Sequence, residues 1–255
     1  YERFVKKYPN IHLLAKAKDQ AVFKLWEGLG YYNRCKNLLF TARQIVADFN
    51  GKFPNTYENL LQLKGVGPYT AAAIASFAYN LPHAVVDGNV FRVFARYYGI
   101  NTPTDSKEGI DLFNKIAFEN LAKNKAGIYN QALMDFGATV CKPATPLCSS
   151  CVMKKGCAAF LQNTVGQLPI KLKVIQKKKR SFDYFFFIVG NTFYIQQRQP
   201  GDIWAGLYQP YLLEQERLMP SSENEVRAML KSHLSIDVPI LNIELNAHLY
   251  QQQLT

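Results

Sequence analysis

Four cysteines stand close together near the middle of the chain and could bind a metal ion or a metal cluster. Cys141, Cys148, Cys151 and Cys157 follow the spacing C-x6-C-x2-C-x5-C. Four thiolates in one short loop suit either a tetrahedral zinc ion or a [4Fe–4S] cluster. Zinc sites commonly pair two C-x2-C knuckles, and this spacing contains one. The fifth cysteine, Cys35, lies in a helical segment and is expected to be a buried or half-buried thiol.

A second candidate is the stretch 63–70, which reads LKGVGPYT and predicts a tight hairpin between two helices. Residues 55–58 are typical of an N-terminal cap for a short apolar helix that runs through Leu63. Pro68 suits a first helical position, and residues 70–79 continue as an alanine-rich apolar helix.

The two glycines of this hairpin give it a possible function. Gly65 and Gly67 can adopt backbone conformations that other residues avoid. Their free N–H groups at the start of a helix would form a cradle for a phosphate. An ordinary corner between two helices remains the alternative, because short glycine motifs often occur by chance.

Taken together, these features resemble a known family. The hairpin, an aspartate about twenty residues downstream and the cysteine spacing resemble the helix-hairpin-helix DNA glycosylases that carry a [4Fe–4S] cluster. The phrases VDGNVFRVFAR (86–96) and GLGYYNRCKNL (28–38) are similar to the adenine DNA glycosylase branch, the MutY family. The resemblance covers nearly the whole chain. It implies an iron–sulfur cluster rather than zinc at the cysteines, with a structural role.

The resemblance implies roles at specific positions. The catalytic residues would be Asp87, Asn89 and Tyr69, and the four cysteines would be the cluster ligands. Gln131 would contact the adenine, and Tyr31 and Thr255 would recognise the opposite base, 8-oxoguanine. The residues that bind DNA would be Tyr31, Leu29, Lys64, Gly65, Val66, Gly67 and Lys142. Tyr31 would be the wedge that fills the gap left by an extruded base.

Asp87 is interpreted in two ways that are compatible. As a plain N-cap it would begin the helix 88–98. As a catalytic group its carboxylate would stabilise the positive charge that develops on the deoxyribose when the N-glycosidic bond breaks, or would bond to the anomeric carbon. Asn89 would hydrogen-bond the sugar or orient Asp87. Arg92 and Arg96, on the same helix, are expected either to meet phosphate or to form a solvated face.

Tyr69 separates two branches of the family. Relatives that resemble endonuclease III place a lysine at this position, and its amine forms a Schiff base that leads to strand cleavage. A phenol cannot form an imine, so the resemblance implies a monofunctional glycosylase.

The bulk composition is compatible with a nucleic-acid enzyme. The chain has 255 residues, 48% of them hydrophobic, and a net charge of +11, which favours a polyanionic partner. No apolar run reaches the length of a membrane span, and no signal peptide is visible. We expect a monomer without a membrane partner, in the cytoplasm and near the nucleoid if the source is prokaryotic. The predicted partner is double-stranded DNA that contains adenine opposite 8-oxoguanine.

The predicted architecture is a mostly α helix-hairpin-helix glycosylase, with a six-helix barrel and an iron–sulfur helical domain, followed by an α+β Nudix-like domain. The predicted parts are a helical region 1–165 (hairpin about 56–79, cysteine loop 141–157), a basic linker 166–180 and a Nudix-like domain 181–255 that we expect to be incomplete. Strands are expected at 182–189, 192–198 and 207–213, with the aromatic run 184–189 buried, and a helix at 221–232. The acidic box of Nudix hydrolases is absent, so nucleotide hydrolysis is not expected.

Two other functions are left open. One is an endonuclease III-like glycosylase and lyase for oxidised pyrimidines, against which Tyr69 and the C-terminal region argue. The other is a catalytically silent fragment that binds damaged DNA. The family's leaving-group acid, a glutamate upstream of the wedge, has no counterpart in this chain. We therefore expect an N-terminal segment that is missing here, and poor adenine excision by residues 1–255 alone.

Overall fold

The structure is a computed structural model that describes residues 1–172, 180–215 and 222–234. The chain divides into two compact units, Tyr1–Ile175 and Gln176–Thr255. Within the described residues, no helix is long and apolar enough to cross a membrane. The domain boundaries from the sequence stay a prediction, although the unit border falls inside the expected linker.

The first unit is built from helices. Their bounds are α1 Glu2–Lys7, α2 Ile11–Ala15, α3 Asp19–Trp26, α4 Tyr32–Asp48, α5 Tyr57–Leu61, α6 Pro68–Tyr79, α7 Gly88–Tyr98, α8 Lys107–Asn120, α9 Ala126–Thr139 and α10 Ala158–Leu161, with 3₁₀ turns at Lys123–Lys125 and Lys154–Gly156. This confirms the mostly helical fold expected for the first part of the chain.

Helix α4 lies between two hydrophobic clusters and supports both. Cys35 and Leu39 pack with α2 and α3, whereas Ile45 packs against α5 and α6 through Leu60 and Ala71. All five side chains are at most 1% exposed. The predicted burial of Cys35 is therefore confirmed, and the helical spacing of apolar residues in α4 explains why one helix serves two clusters.

The two helices of the predicted hairpin form with the expected caps. The Thr56 side chain accepts a hydrogen bond from the Asn59 N–H at 3.3 Å, and Pro68 occupies the start of α6. The first helix of the hairpin ends at Leu61, not at Leu63 as the sequence suggested. The helix ends before Leu63, and Leu63 packs in the core, where it is 2% exposed.

The third cluster gathers around α7, which carries Asp87 at its start. Val90 and Phe94 pack against Phe113 of α8, Ala159 of α10 and Leu168. Leu168 belongs to the predicted basic linker, yet it is 4% exposed. The first part of that stretch thus packs on the first unit instead of forming a free tether, because its apolar residues find a core.

In its described residues, the second unit combines antiparallel strands with one helix, which agrees with the predicted α+β character. The strands are β1 Ser181–Phe185, β2 Ile188–Val189, β3 Thr192–Phe193, β4 Gln196–Gln197, β5 Tyr208–Gln209 and β6 Tyr211–Gln215, and the helix is α11 Glu223–Leu234. β1 pairs with β6, β2 with β3, and β4 with β5. The expected strands 182–189 and 192–198 are each interrupted, at residues 186–187 and 194–195, and a turn at 190–191 joins β2 to β3.

The predicted burial of the aromatic run 184–189 is wrong. Tyr184 is 40% exposed, Phe186 62% and Ile188 71%. These alternate residues share one face of β1 and its continuation, whereas Asp183 and Leu213, opposite each other in the β1–β6 pair, are buried. The strand is thus covered on one face of the described part and open on the other.

An arginine predicted to belong to the linker is instead part of the second unit. Arg180 forms ion pairs with Asp202 and Glu214, each at 2.5 Å. Arg198 also pairs with Asp202, is 6% exposed and lies 5.5 Å from the ring centre of Trp204. The basic side chains near this boundary therefore organise the unit's own fold.

Candidate active site and cysteine loop

Asp87 is held rigidly at the start of α7. Its Oδ1 accepts hydrogen bonds from the N–H groups of Asn89 and Val90, both at 2.8 Å, and its Oδ2 accepts one from the Asn89 side chain at 2.8 Å. The predicted N-cap is thus confirmed, and both carboxylate oxygens are oriented by Asn89.

Tyr69 interacts electrostatically with Asp87. The side chain sits in the first turn of α6 and is 44% exposed. Burial raises the pKa of Tyr69, and the negative charge of Asp87 raises it further. Tyr69 therefore remains a neutral phenol with a proton to donate beside the carboxylate. The structure brings together the three residues predicted to be catalytic.

Arg92 connects this site to the cysteine loop. Its Nη2 donates to Asn89 Oδ1 at 2.9 Å and to the Gly137 carbonyl at 2.7 Å, while its Nε donates to the Cys141 carbonyl at 2.7 Å. The expectation of a phosphate contact or a solvated face is wrong, because the side chain is 7% exposed and its donors are occupied. Burial lowers the pKa of Arg92, and the nearby Cys141 and Asp87 oppose that effect.

Arg96 is buried in the same way and holds the cysteine loop from within. It is 3% exposed and donates to the carbonyls of Leu168 at 3.0 Å, Lys142 at 2.8 Å and Pro143 at 3.0 Å, with Cys141 Sγ at 3.5 Å. The alternatives considered for Arg96 from the sequence are therefore also wrong. A guanidinium can satisfy several carbonyls at once, which suits it to fix an irregular loop.

The four cysteines of the loop line one cavity. All four are half-buried free thiols, and Arg96 and Phe160 help to enclose the space between them. Burial raises the pKa of the Cys148 thiol, and neighbouring Cys141 adds to that shift.

The arrangement suits a cluster with several metal atoms. Among the described residues, no three His, Cys, Asp or Glu side chains converge on a point where one ion could sit. A [4Fe–4S] cluster takes one thiolate at each iron, so its ligands surround a volume. Four thiols around a shared apolar cavity fit that requirement.

The hairpin presents free backbone donors. Gly65 has φ +78°, a conformation that favours glycine. Within residues 1–172, the N–H groups of Gly65 and Gly67 have no hydrogen-bond partner. Lys64 is exposed, and Val66 is half-buried. The cradle stays a prediction, and these N–H groups are available for it.

The predicted wedge projects from the loop before α4. Tyr31 is 67% exposed and adopts φ +48°, and Leu29 is 62% exposed. The Trp26 Nε1 donates to the Gly30 carbonyl at 2.9 Å and ties the loop to α3. A strained backbone that displays an aromatic side chain is a feature often found at functional sites.

The remaining predicted residues have other surroundings or lie outside the described structure. Gln131 is exposed on α9, where its Nε2 donates to Asp135 at 2.9 Å. Lys142 is half-buried, with its carbonyl bound by Arg96. Thr255 lies outside the described residues.

Residues 1–116 match the family model described as HhH-GPD superfamily base excision DNA repair protein. The chain belongs to this HhH-GPD superfamily. It is 36% identical over 221 residues to the adenine DNA glycosylase of Buchnera aphidicola subsp. Baizongia pistaciae, covering 82% of this chain and 59% of that protein. It is 44% identical over 170 residues to the adenine DNA glycosylase of Mus musculus, covering 66% of this chain and 33% of that protein. The chain thus spans less than two thirds of these relatives.

Solved structures of the superfamily share the fold. A thermostable thymine-DNA glycosylase is similar with a TM-score of 0.59 and 31% identity, covering 64% of this chain and 75% of that one. An endonuclease III in a non-covalent DNA complex is similar with a TM-score of 0.56 and 24% identity over 64% of this chain and 74% of that one, which shows the fold alone.

Besides the two arginines, sequence reasoning missed Asn130 at this HhH-GPD site. Asn130 is 1% exposed; its Oδ1 accepts from the Val85 N–H at 3.2 Å, and its Nδ2 donates to the His83 carbonyl at 2.8 Å. It therefore fixes the segment that leads into Asp87. The signal that could have revealed it is its spacing, since Asn130 lies four residues after Ala126 and seven before Gly137, on the buried face of α9.

Proposed function

We propose that this protein is a monofunctional DNA glycosylase of base excision repair that removes adenine paired with 8-oxoguanine. The observation that carries the proposal is the Asp87 carboxylate, whose two oxygens are both fixed by hydrogen bonds from Asn89. The identity to adenine DNA glycosylases supports the choice of adenine.

The proposed mechanism uses the described side chains as follows. The N–H groups of the hairpin bind the DNA backbone, and Tyr31 fills the space from which the adenine is extruded. Adenine leaves with the electron pair of the N-glycosidic bond and takes up a proton from the leaving-group acid that the family places upstream of the wedge. The Asp87 carboxylate stabilises the positive charge left on the deoxyribose, and water then bonds to the anomeric carbon. Asn89 keeps the carboxylate in place. Tyr69 donates a hydrogen bond in this site and, lacking an amine, forms no covalent imine.

We propose that Cys141, Cys148, Cys151 and Cys157 hold a [4Fe–4S] cluster. When bound, the cluster supplies four metal–thiolate bonds that fix the loop, and N-glycosidic hydrolysis requires no electron transfer from it. Lys142, Lys154 and Lys155 belong to this loop and would face DNA phosphates. We also propose that the second unit recognises the oxidised base.

One experiment separates this function from the endonuclease III-like alternative. Matched duplexes that contain adenine opposite 8-oxoguanine, adenine opposite guanine, or an oxidised pyrimidine opposite guanine are incubated with the full-length protein. Abasic sites are then revealed by alkali. We expect cleavage only after alkali and fastest at adenine opposite 8-oxoguanine. Preferential loss of the oxidised pyrimidine, or strand breaks without alkali, would overturn the proposal.

A further inference from the structure

Polar side chains on one face of α4 contact the backbone of the hairpin. Asn37, Thr41 and Gln44 are separated by four and three residues, so they lie along the same side of the helix. Thr41 is 8% exposed, and the other two are half-buried. Their partners are backbone groups of residues 62–65, twenty or so positions further along the chain.

Gln44 and Thr41 hold three successive peptide groups. The Gln44 Nε2 donates to the Gln62 carbonyl at 3.1 Å, and its Oε1 accepts from the Lys64 N–H at 3.1 Å. The Thr41 hydroxyl donates to the Lys64 carbonyl at 2.7 Å. The peptide groups 62–63, 63–64 and 64–65 are therefore each tied to α4.

Asn37 supports the next residue by contact. A Cβ at Gly65 would lie 2.4 Å from Asn37 Nδ2, so the backbone passes directly against this side chain. Glycine is required there both by this contact and by its φ of +78°.

These contacts determine where the hairpin's free donor points. In a trans peptide the C=O and N–H groups point in opposite directions. Because the Lys64 carbonyl is bonded to Thr41, the Gly65 N–H of the same peptide group is directed away from α4. Like the Gly67 N–H, it has no hydrogen-bond partner in the described structure.

We propose that Thr41 and Gln44 are positioning residues that pre-orient the hairpin N–H groups for one DNA phosphate. This inference rests on the proposed DNA-binding function. Neither side chain touches the phosphate. They act by removing the freedom of the hairpin peptides before binding, so that less ordering is needed when the phosphate arrives.

The test is a scan in which each phosphate near the target adenine is replaced in turn by an uncharged methylphosphonate. Binding is compared for the wild type, Thr41→Val, Gln44→Met and Gln44→Glu. In the wild type we expect the phosphate held by the hairpin to show a penalty of about ten-fold. In the variants this penalty should fall to about three-fold or less, while penalties at other phosphates stay unchanged.

Controls distinguish positioning from general stability. Asn114→Leu removes an exposed amide that bonds only within α8, where its Nδ2 donates to the Ile110 carbonyl at 2.8 Å, and should leave the whole profile unchanged. Gln44→Glu keeps the acceptor for the Lys64 N–H and loses the donor to Gln62, so it tests the idea even if Thr41→Val does not fold.

The outcomes separate two failures. Folded variants that keep the full penalty at the hairpin phosphate, or that lose affinity equally at every phosphate, overturn the positioning role and leave DNA binding intact. A wild type without any sensitive phosphate overturns the proposed function itself, and the positioning role with it.

Discussion

The guanidinium of Arg92 bridges Asn89 and Cys141. It donates to the Asn89 side-chain oxygen at 2.9 Å and to the Cys141 carbonyl at 2.7 Å. Asn89 in turn donates to Asp87. The candidate catalytic carboxylate and the first cysteine of the loop are thus connected through two side chains, the half-buried Asn89 and the buried Arg92.

Replacing Arg92 with lysine should destabilise the protein and slow base excision together. Lysine keeps the charge but cannot reproduce the planar fork, so the Cys141 or Gly137 carbonyl loses its donor. Each unsatisfied buried carbonyl costs about 1–3 kcal/mol of unfolding free energy. Denaturant unfolding and single-turnover excision measure the two effects. Arg3→Lys, at an exposed position of α1, is the control; unchanged stability in Arg92→Lys would contradict the bridging role.

In the full-length protein, Asp87→Asn should abolish excision without unfolding the chain. Asparagine is an equally good N-cap, so α7 should begin as before, but the negative charge at the sugar is lost. We expect excision to fall by at least about a hundred-fold while duplex binding stays within a few-fold. Asp111→Asn, an exposed carboxylate of α8, should behave as wild type. Excision by Asp87→Asn at near wild-type rates would remove Asp87 from the mechanism.

Tyr69 should prevent covalent trapping. Borohydride captures an enzyme–DNA adduct only where an amine has formed an imine with the sugar, and a phenol forms none. The expected result is base loss without a trapped adduct, read on a denaturing gel beside an endonuclease III reaction that does give one. Efficient trapping of this protein would show that another amine takes the role.

Iron content should depend on the loop cysteines and not on Cys35. Purified protein should be brown and contain about four iron atoms with little zinc. Cys148→Ser should lose most of the iron. Cys35→Ser should retain it, since Cys35 packs in the hydrophobic core formed by α2, α3 and α4 and not in the cysteine loop. Metal analysis and the visible absorption spectrum provide the measurement. Colourless protein with stoichiometric zinc would contradict the assignment.

Cys35 should make the protein less stable in alkali. Burial raises its pKa from 9.0 to about 11. The folded state then holds the thiol proton more tightly than the unfolded state, so the contribution is complete below pH 9 and is lost as pH rises to about 11. The loss is roughly 1.4 kcal/mol per pH unit across that window. Cys35→Ala should show a shallower decline in unfolding free energy between pH 9 and 11; identical slopes would argue against this ionisation.

The features that were predictable from sequence are those with local causes. Thr56, Pro68 and Asp87 act on residues within one helical turn, so their roles follow from the order of amino acids alone. Arg92 and Arg96 could not be placed in this way. Their carbonyl partners lie 45 to 72 positions away, apart from Gly88 one turn back, and only packing of α7 against α9 and the loop brings them together. The predicted burial of the aromatic run 184–189 was wrong for a similar reason. Hydrophobicity indicates a strand but does not indicate which face of it is covered.

Helix α4 fixes the direction in which Tyr31 points relative to the hairpin. Its first turn follows Tyr31 directly, and its middle turns bind the hairpin. A helix advances by about 100° per residue, so a single insertion between Tyr32 and Asn37 would rotate the wedge by that angle around the axis relative to the phosphate cradle. Side chains on the exposed face of this short segment can therefore vary freely, whereas its length cannot, and deletions there should be as damaging as loss of the tyrosine itself.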